Sequence, residues 1–174
     1  MDIFRKPLNG KNMTNGKNNI EIRIAKVDDI ENVFLLEEQL FSLYCKARPD
    51  WIDRNKRPHN YEYLKKCIEN DGKIFIAEDR NKIIGYCITF LDDINNHHYY
   101  VDMKNLYIES FYIYENYRRK GIGRMLFEEV KKYAKEQNCK NIELEVWEFN
   151  ESAKKFYENL GMKRRTYQLE YNIE

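Results

Sequence analysis

The sequence contains no hydrophobic run long enough to cross a bilayer. Its longest mostly apolar stretch, residues 83–91, is about half of the ~20 residues that a spanning helix needs. No charged, then apolar, then small-residue signal opens the chain, so a soluble, cytoplasmic protein is expected. An excess of one charge is missing as well. The 30 Lys and Arg nearly cancel the 29 Asp and Glu, and a net charge of +1 provides no field to hold DNA or an acidic membrane. Neither is expected as a partner, and any basic site must be local. Cysteines are few: Cys45, Cys67, Cys87 and Cys139 form no C-x-x-C pair for zinc or dithiol chemistry, suit a reducing compartment, and read as buried apolar residues. His97 and His98 are adjacent and would point opposite ways on a strand, while His59 stands alone, so no metal site is expected. There is no internal repeat.

What the chain does hold is a core. With 43% apolar and 14% aromatic residues among 174, it forms one domain that needs no metal or disulfide staple to fold. Residues 7–19 mix Gly, Asn, Lys and Pro without apolar periodicity and cannot offset the entropy of ordering, so residues 1–19 are expected to be a flexible tail and 20–174 the domain. Ile20, Ile22 and Ile24 alternate with charges, as in a strand with one buried face. Asp28 and Glu31 resemble a capping box, and Ile30, Val33, Phe34, Leu40, Phe41 and Tyr44 recur at helical spacing up to Pro49. A second helix is expected over residues 61–69, ended by an Asp71-Gly72 turn. Strands follow over 74–78 and 83–90, joined by a polar turn at 79–82, then a loop at 92–98 and a long strand at 105–114. A helix from Ile122, a strand over 142–147, a helix capped by Asn150 and ended at Gly161, and a closing strand or hairpin over 163–171 complete the order. Helices and strands mix without strict alternation, which fits a mixed α/β sheet covered by helices.

The most informative segment, LYIESFYIYENYRRKGIGRML at 106–126, runs from a strand through a basic, Gly-containing turn into a helix. Amides of a first helical turn have no intrahelical acceptor, and the helix dipole adds positive charge, so such a turn can hold a phosphate. Gly121 and Gly123 let an anion approach the backbone, and Arg118, Arg119, Lys120 and Arg124 place charges at the rim. A basic surface turn without a ligand is the other reading. A Walker loop is absent, and the dinucleotide fingerprint fails where its third Gly is Leu126.

The run from Arg118 to Gly123 resembles the acetyl-coenzyme A motif [RQ]-x-x-G-x-[GA] of the GCN5-related N-acetyltransferases. The segment NESAKKFYENLGM at 150–162 is similar to that family's second signature, an Asn followed by Ala, Phe-Tyr and Leu-Gly. The resemblance implies a mostly antiparallel mixed sheet of six to seven strands flanked by helices, with acetyl-coenzyme A as co-substrate. It places the pyrophosphate on the amides of Arg119 to Arg124 and the pantetheine along the backbone of Phe111, Tyr112 and Ile113, in a gap where that strand splays from the next. Asn150 and Ser152 would add polar contacts to the cofactor, although capping alone explains Asn150 nearly as well. The family often has Gly where this chain has Arg119.

The acceptor implied is the amine of a small molecule or a peptide. An alkyl ammonium must lose a proton before it attacks, which calls for a general base, directly or through water. Glu109 occupies the place where similar enzymes carry a basic Glu, and Tyr157 resembles the family's general acid, which protonates the leaving thiolate. The plainer readings are a solvent-facing strand residue and a core-facing helix aromatic. No cysteine falls in either motif, so direct transfer in a ternary complex is favoured over an acetyl-cysteine. A silent acyl-coenzyme A binding module is the rival, and the presence of both Glu109 and Tyr157 favours the enzyme. The segment 40–57, with Cys45, Arg48, Asp50 and Trp51, is expected to border the acceptor. Dimerisation is common in the family, yet nothing in the sequence marks an interface.

Overall fold

A computed structural model describes residues 19–57, 59–70 and 72–173. The tail expected over 1–19 therefore lies outside the described residues apart from Asn19, as does Asp71 of the turn after the second helix. Five strands form one sheet in chain order: β1 (Ile20–Ile24), β2 (Gly72–Asp79), β3 (Lys82–Ile94), β4 (Met103–Ile113) and β5 (Asn141–Leu144). The first four pair antiparallel and β5 joins β4 in parallel. Four helices cover the sheet: α1 (Ile30–Ala47), α2 (Tyr61–Glu69), α3 (Ile122–Glu136) and α4 (Glu151–Asn159).

Side-chain alternation sorts the strands between two apolar layers. Ile74, Ile76, Tyr86 and Ile88 point toward α1 and α2, where they meet Ile30, Val33, Leu36 and Leu64. Phe75, Cys87, Leu106 and Ile108 point the other way, onto Leu126, Phe127 and Val130 of α3. Each layer buries the apolar stripe that the sequence periodicity marks.

Several boundaries differ from expectation for local reasons. Chain entry into α1 is shaped by Asp29, not by Asp28 with Glu31: a short 3-10 turn spans Val27–Asp29, and the Asp29 carboxylate accepts from the Lys26 amide at 2.7 Å while gripping Arg23. The β2–β3 turn contains only Arg80 and Asn81, both at positive φ (49° and 65°), as a tight two-residue hairpin requires. β3 runs on to Ile94 because Asp92, Asp93 and Ile94 pair with Asn105, Lys104 and Met103, so part of the expected loop is strand. His97 and His98 then sit in the loop proper with their rings stacked at 4.6 Å, rather than on opposite faces of a strand.

Two corrections concern the far edge of the sheet. β5 stops at Leu144 instead of reaching Trp147, and residues 163–171 form no strand, so the described residues give five strands where six to seven were expected. Tyr167, Leu169, Tyr171 and Ile173 alternate as in a strand but find no neighbour to pair with, and each is at least 77% exposed.

One irregularity positions everything that follows. Ile88 of β3 faces Ser110 and Thr89 faces Ile108, which leaves Glu109 as the extra residue of a β-bulge in β4. Before it, Leu106 and Ile108 face α3; after it the parity has changed, and Phe111 and Ile113 face that layer while Tyr112 joins the α1–α2 side.

Candidate active site

The bulge coincides with a parting of strands. β4 pairs with β5 only from Asn105 to Ile108, opposite Asn141 to Leu144, and among the described residues its only strand neighbour from Glu109 to Ile113 is β3. Backbone groups on the β5 side of Phe111 to Ile113 thus border a gap. The Phe111 ring carries Phe156 and Tyr157 of α4 at 5.5 and 6.3 Å.

Glu109 stands at the start of this gap with its side chain 30% exposed. Its carboxylate accepts from the Tyr63 hydroxyl at 2.7 Å and lies 3.2 Å from His59 Nε2. On the other side of the ring, His59 Nδ1 is 2.8 Å from Glu37, a carboxylate of α1 that is 4% exposed. Ser110 donates to the second Glu37 oxygen at 2.7 Å, and the Ser110 and Tyr86 hydroxyls are 3.0 Å apart. Burial alone would drive protons off His59, yet Glu109 and Glu37 outweigh it and lift the imidazole from 6.5 to about 9. Burial likewise pushes the Glu109 carboxyl up, but His59 and Tyr63 prevail and hold it below its ordinary value. The Tyr63 phenol is raised by burial and by the Glu109 charge, so it remains a donor.

Tyr157, on α4, meets the Phe111 ring edge-on. Burial, with Cys87 and Tyr44 close by, raises its phenol well above the ordinary value and keeps its proton on. Cys87 pairs with Phe111 from the neighbouring strand, but it is fully buried and its thiol is pushed up, which leaves no thiolate beside the gap.

At the far end of β4 the chain enters the basic turn. Gly121 adopts left-handed backbone, φ +82°, and has no atom within 4 Å of where a Cβ would stand, so the approach to the α3 N-terminus is open. The first bond of the helix runs from the Met125 amide to the Gly121 carbonyl at 3.1 Å, and the amides of Ile122, Gly123 and Arg124 have no acceptor four residues back. Gly123 serves packing rather than anion approach: a Cβ there would come within 3.2 Å of the Phe156 ring. The four cations divide their work. Arg118 donates to the Ile113 carbonyl at 2.9 Å and covers the Tyr112 ring, Arg124 donates to the Asn159 carbonyl at 3.2 Å, and Lys120 lies over Tyr117. Arg119 holds a left-handed φ of 62°, the conformation for which Gly is the usual choice. Asn150 caps α4 by accepting from the Ala153 amide at 3.1 Å, and Ser152 is exposed in the first turn of that helix.

The segment after α1 reaches the same region from the opposite side. Arg48 packs over both Trp51 and Trp147, whose rings meet edge-on at 6.1 Å, and pairs with Asp50 and Glu170. His59, Glu37 and Tyr63 did not stand out in the sequence. One signal was present: Glu37 interrupts an α1 face that otherwise buries Val33, Leu36 and Leu40.

Residues 38–162 match the model of the acetyltransferase (GNAT) family, and the chain belongs to that family. Among relatives, an uncharacterized N-acetyltransferase of Lactobacillus delbrueckii subsp. lactis is 35% identical over 127 residues, covering 66% of this chain and 72% of that protein. The L-ornithine N5-acetyltransferase NATA1 of Arabidopsis thaliana is 30% identical over 93 residues, covering 52% of this chain and 39% of that protein. A crystal structure of a mutant BH1408 protein from Bacillus halodurans superposes with a TM-score of 0.84 at 29% identity, covering 88% of this chain and 99% of that one. The protein is an acetyl-coenzyme A dependent acetyltransferase. Among the described residues no helix is long and apolar enough to cross a membrane.

Proposed function

We propose that the protein acetylates a primary amine by direct transfer in a ternary complex, with Glu109 as the base and Tyr157 as the acid. The observation that carries this reading is the bulge, which sets a half-exposed carboxylate at the point where β4 leaves β5. Acetyl-coenzyme A fits the groups present. The open left-handed Gly121 and the acceptor-free amides after it suit a pyrophosphate, with Arg118, Arg119, Lys120 and Arg124 at the rim. The backbone edge from Phe111 to Ile113, which has no β5 partner although Arg118 takes the Ile113 carbonyl, suits an amide-bearing chain, and Asn150 and Ser152 lie on the α4 side. When bound, the cofactor supplies an activated acetyl thioester.

The remaining chemistry belongs to the chain. Glu37, His59 and Glu109 together place two carboxylates against one imidazolium, a net negative cluster that draws an ammonium group to the gap. Glu145 and Glu109 both raise the Tyr107 phenol, after burial itself, which puts a further carboxylate nearby. Glu109, held ionised, orients the ammonium and receives its proton directly or through a bridging water. Tyr157, held protonated, is a donor for the departing thiolate. A relative named for the N5 amine of ornithine supports an amine on a short alkyl chain.

Thiol release from acetyl-coenzyme A across a panel of amines tests the assignment. Glu109→Gln and Tyr157→Phe should each lower turnover by about tenfold or more, equivalent to about 1.4 kcal/mol of barrier, with cofactor affinity nearly constant. Unaltered turnover in both variants would remove the two catalytic roles.

A further inference from the structure

The His59 ring is fixed on three sides. It stacks on Tyr63 at 4.6 Å and 5° between planes, and its two nitrogens point at different carboxylates, Glu37 and Glu109. Glu37 is committed at both oxygens, one to His59 and one to Ser110, the residue that follows the bulge. Burying a carboxylate with an imidazole in an apolar helix interface brings little stability over a well-packed apolar pair, so stability alone does not account for the arrangement. What it does achieve is directional. The same buried carboxylate fixes the ring that touches Glu109 and the strand residue next to Glu109.

We propose that His59, anchored by Glu37, is a positioning residue that aims the Glu109 carboxylate into the gap and keeps it ready to receive the acceptor's ammonium group. This rests on the reading of Glu109 as the group that takes the amine's proton. Among the described residues, the neighbours leave His59 as the only cation available to Glu109 inside the cluster. From α1 come Glu37 and Tyr44, from α2 Tyr63 and Cys67, from β3 Tyr86, and from β4 Ser110 and Glu109. Burial raises the thiol of Cys67 to about 11 and lifts the phenols of Tyr44, Tyr63 and Tyr86, so none of these contributes charge near neutrality. Without His59, burial would act on Glu109 with no opposing cation, and its carboxyl would titrate upward.

The test reads the pH profile. In His59→Gln the acid limb of kcat/KM should move to higher pH by about one unit, and kcat near neutrality should fall about tenfold while the KM for acetyl-coenzyme A holds. Glu37→Gln, which preserves shape, should move the limb the same way by a smaller amount. A second measurement needs no turnover: nitrogen NMR of the unliganded wild-type protein should find both His59 ring nitrogens protonated to about pH 8, with protonation lost earlier in Glu37→Gln. A wild-type acid limb in His59→Gln, alongside an inactive Glu109→Gln, would overturn the positioning role and leave the base in place. A neutral His59 ring near pH 7 would overturn it too. Full turnover in Glu109→Gln would remove the base and this inference with it, while the NMR result would still report the ring's charge.

Discussion

Raising the pH from about 6 to about 9 should weaken the fold chiefly through one buried ring. His59 is raised from 6.5 to about 9, so in this window the folded protein binds a proton that the unfolded chain has released. The stabilisation is complete below the unfolded value of 6.5 and is lost as the pH climbs through about 9. A displacement of that size corresponds to about 3 kcal/mol, nearly all of it spent by the upper end of the range. The side chains of His59 and Glu37 are only 10% and 5% exposed, so solvent screening reduces the figure little. Urea unfolding at several pH values gives the measurement: the extrapolated stability of the wild type should fall by about 3 kcal/mol more than that of His59→Gln, both proteins sharing the smaller loss near pH 9 that comes from the raised thiols of Cys67, Cys87 and Cys139. Groups with depressed values, Asp29 and Glu109, are ionised in both states throughout and add no slope here. Equal slopes for the two proteins, or stability that rises with pH in the wild type alone, would show that the ring does not carry its charge between the carboxylates.

Two further outcomes concern the basic turn. Arg119→Gly should raise stability by about 1 kcal/mol, visible as a higher Tm, because a left-handed φ of 62° strains any residue with a Cβ, and cofactor affinity should barely change if backbone amides make the contacts. Gly123→Ala should change stability by less than about 1 kcal/mol, because the helix propensity of Ala offsets a Cβ that presses on the Phe156 ring at 3.2 Å; a larger fall in Tm would mean that the ring cannot give way.

Much of the fold was legible because its elements obey simple periods. The strand over Ile20–Ile24, the apolar stripe of α3 and the cap at Asn150 lie where local rules place them, although Ile24, expected on the buried face of that strand, is 49% exposed. The closing strand was misread by the same rule: alternation from Tyr167 onward states which face is apolar, but pairing depends on an available neighbour, which no local pattern encodes. The site divides along the same line. The turn from Arg118 to Arg124 and Tyr157 lie in or beside the two motifs, and Glu109 lies nine residues before the first, so they could be singled out from the sequence. Glu37 comes from α1 and His59 and Tyr63 from the entry to α2, and they meet Glu109 only through tertiary packing. Gly123, singled out for anion approach, is also pressed from another side, by an aromatic ring on α4.

The extra residue in β4 makes that strand two short segments spliced out of phase. Upstream, even-numbered side chains feed the α3 layer; downstream, odd-numbered ones do. Most positions along it can trade one apolar residue for another and keep their layer. The count of residues is less forgiving, because losing one at the splice would bring both halves back into step, heal the ladder and leave a sound sheet with its carboxylate facing nowhere useful. For a lineage drifting under selection, or an engineer shortening a strand, length is the inherited quantity here.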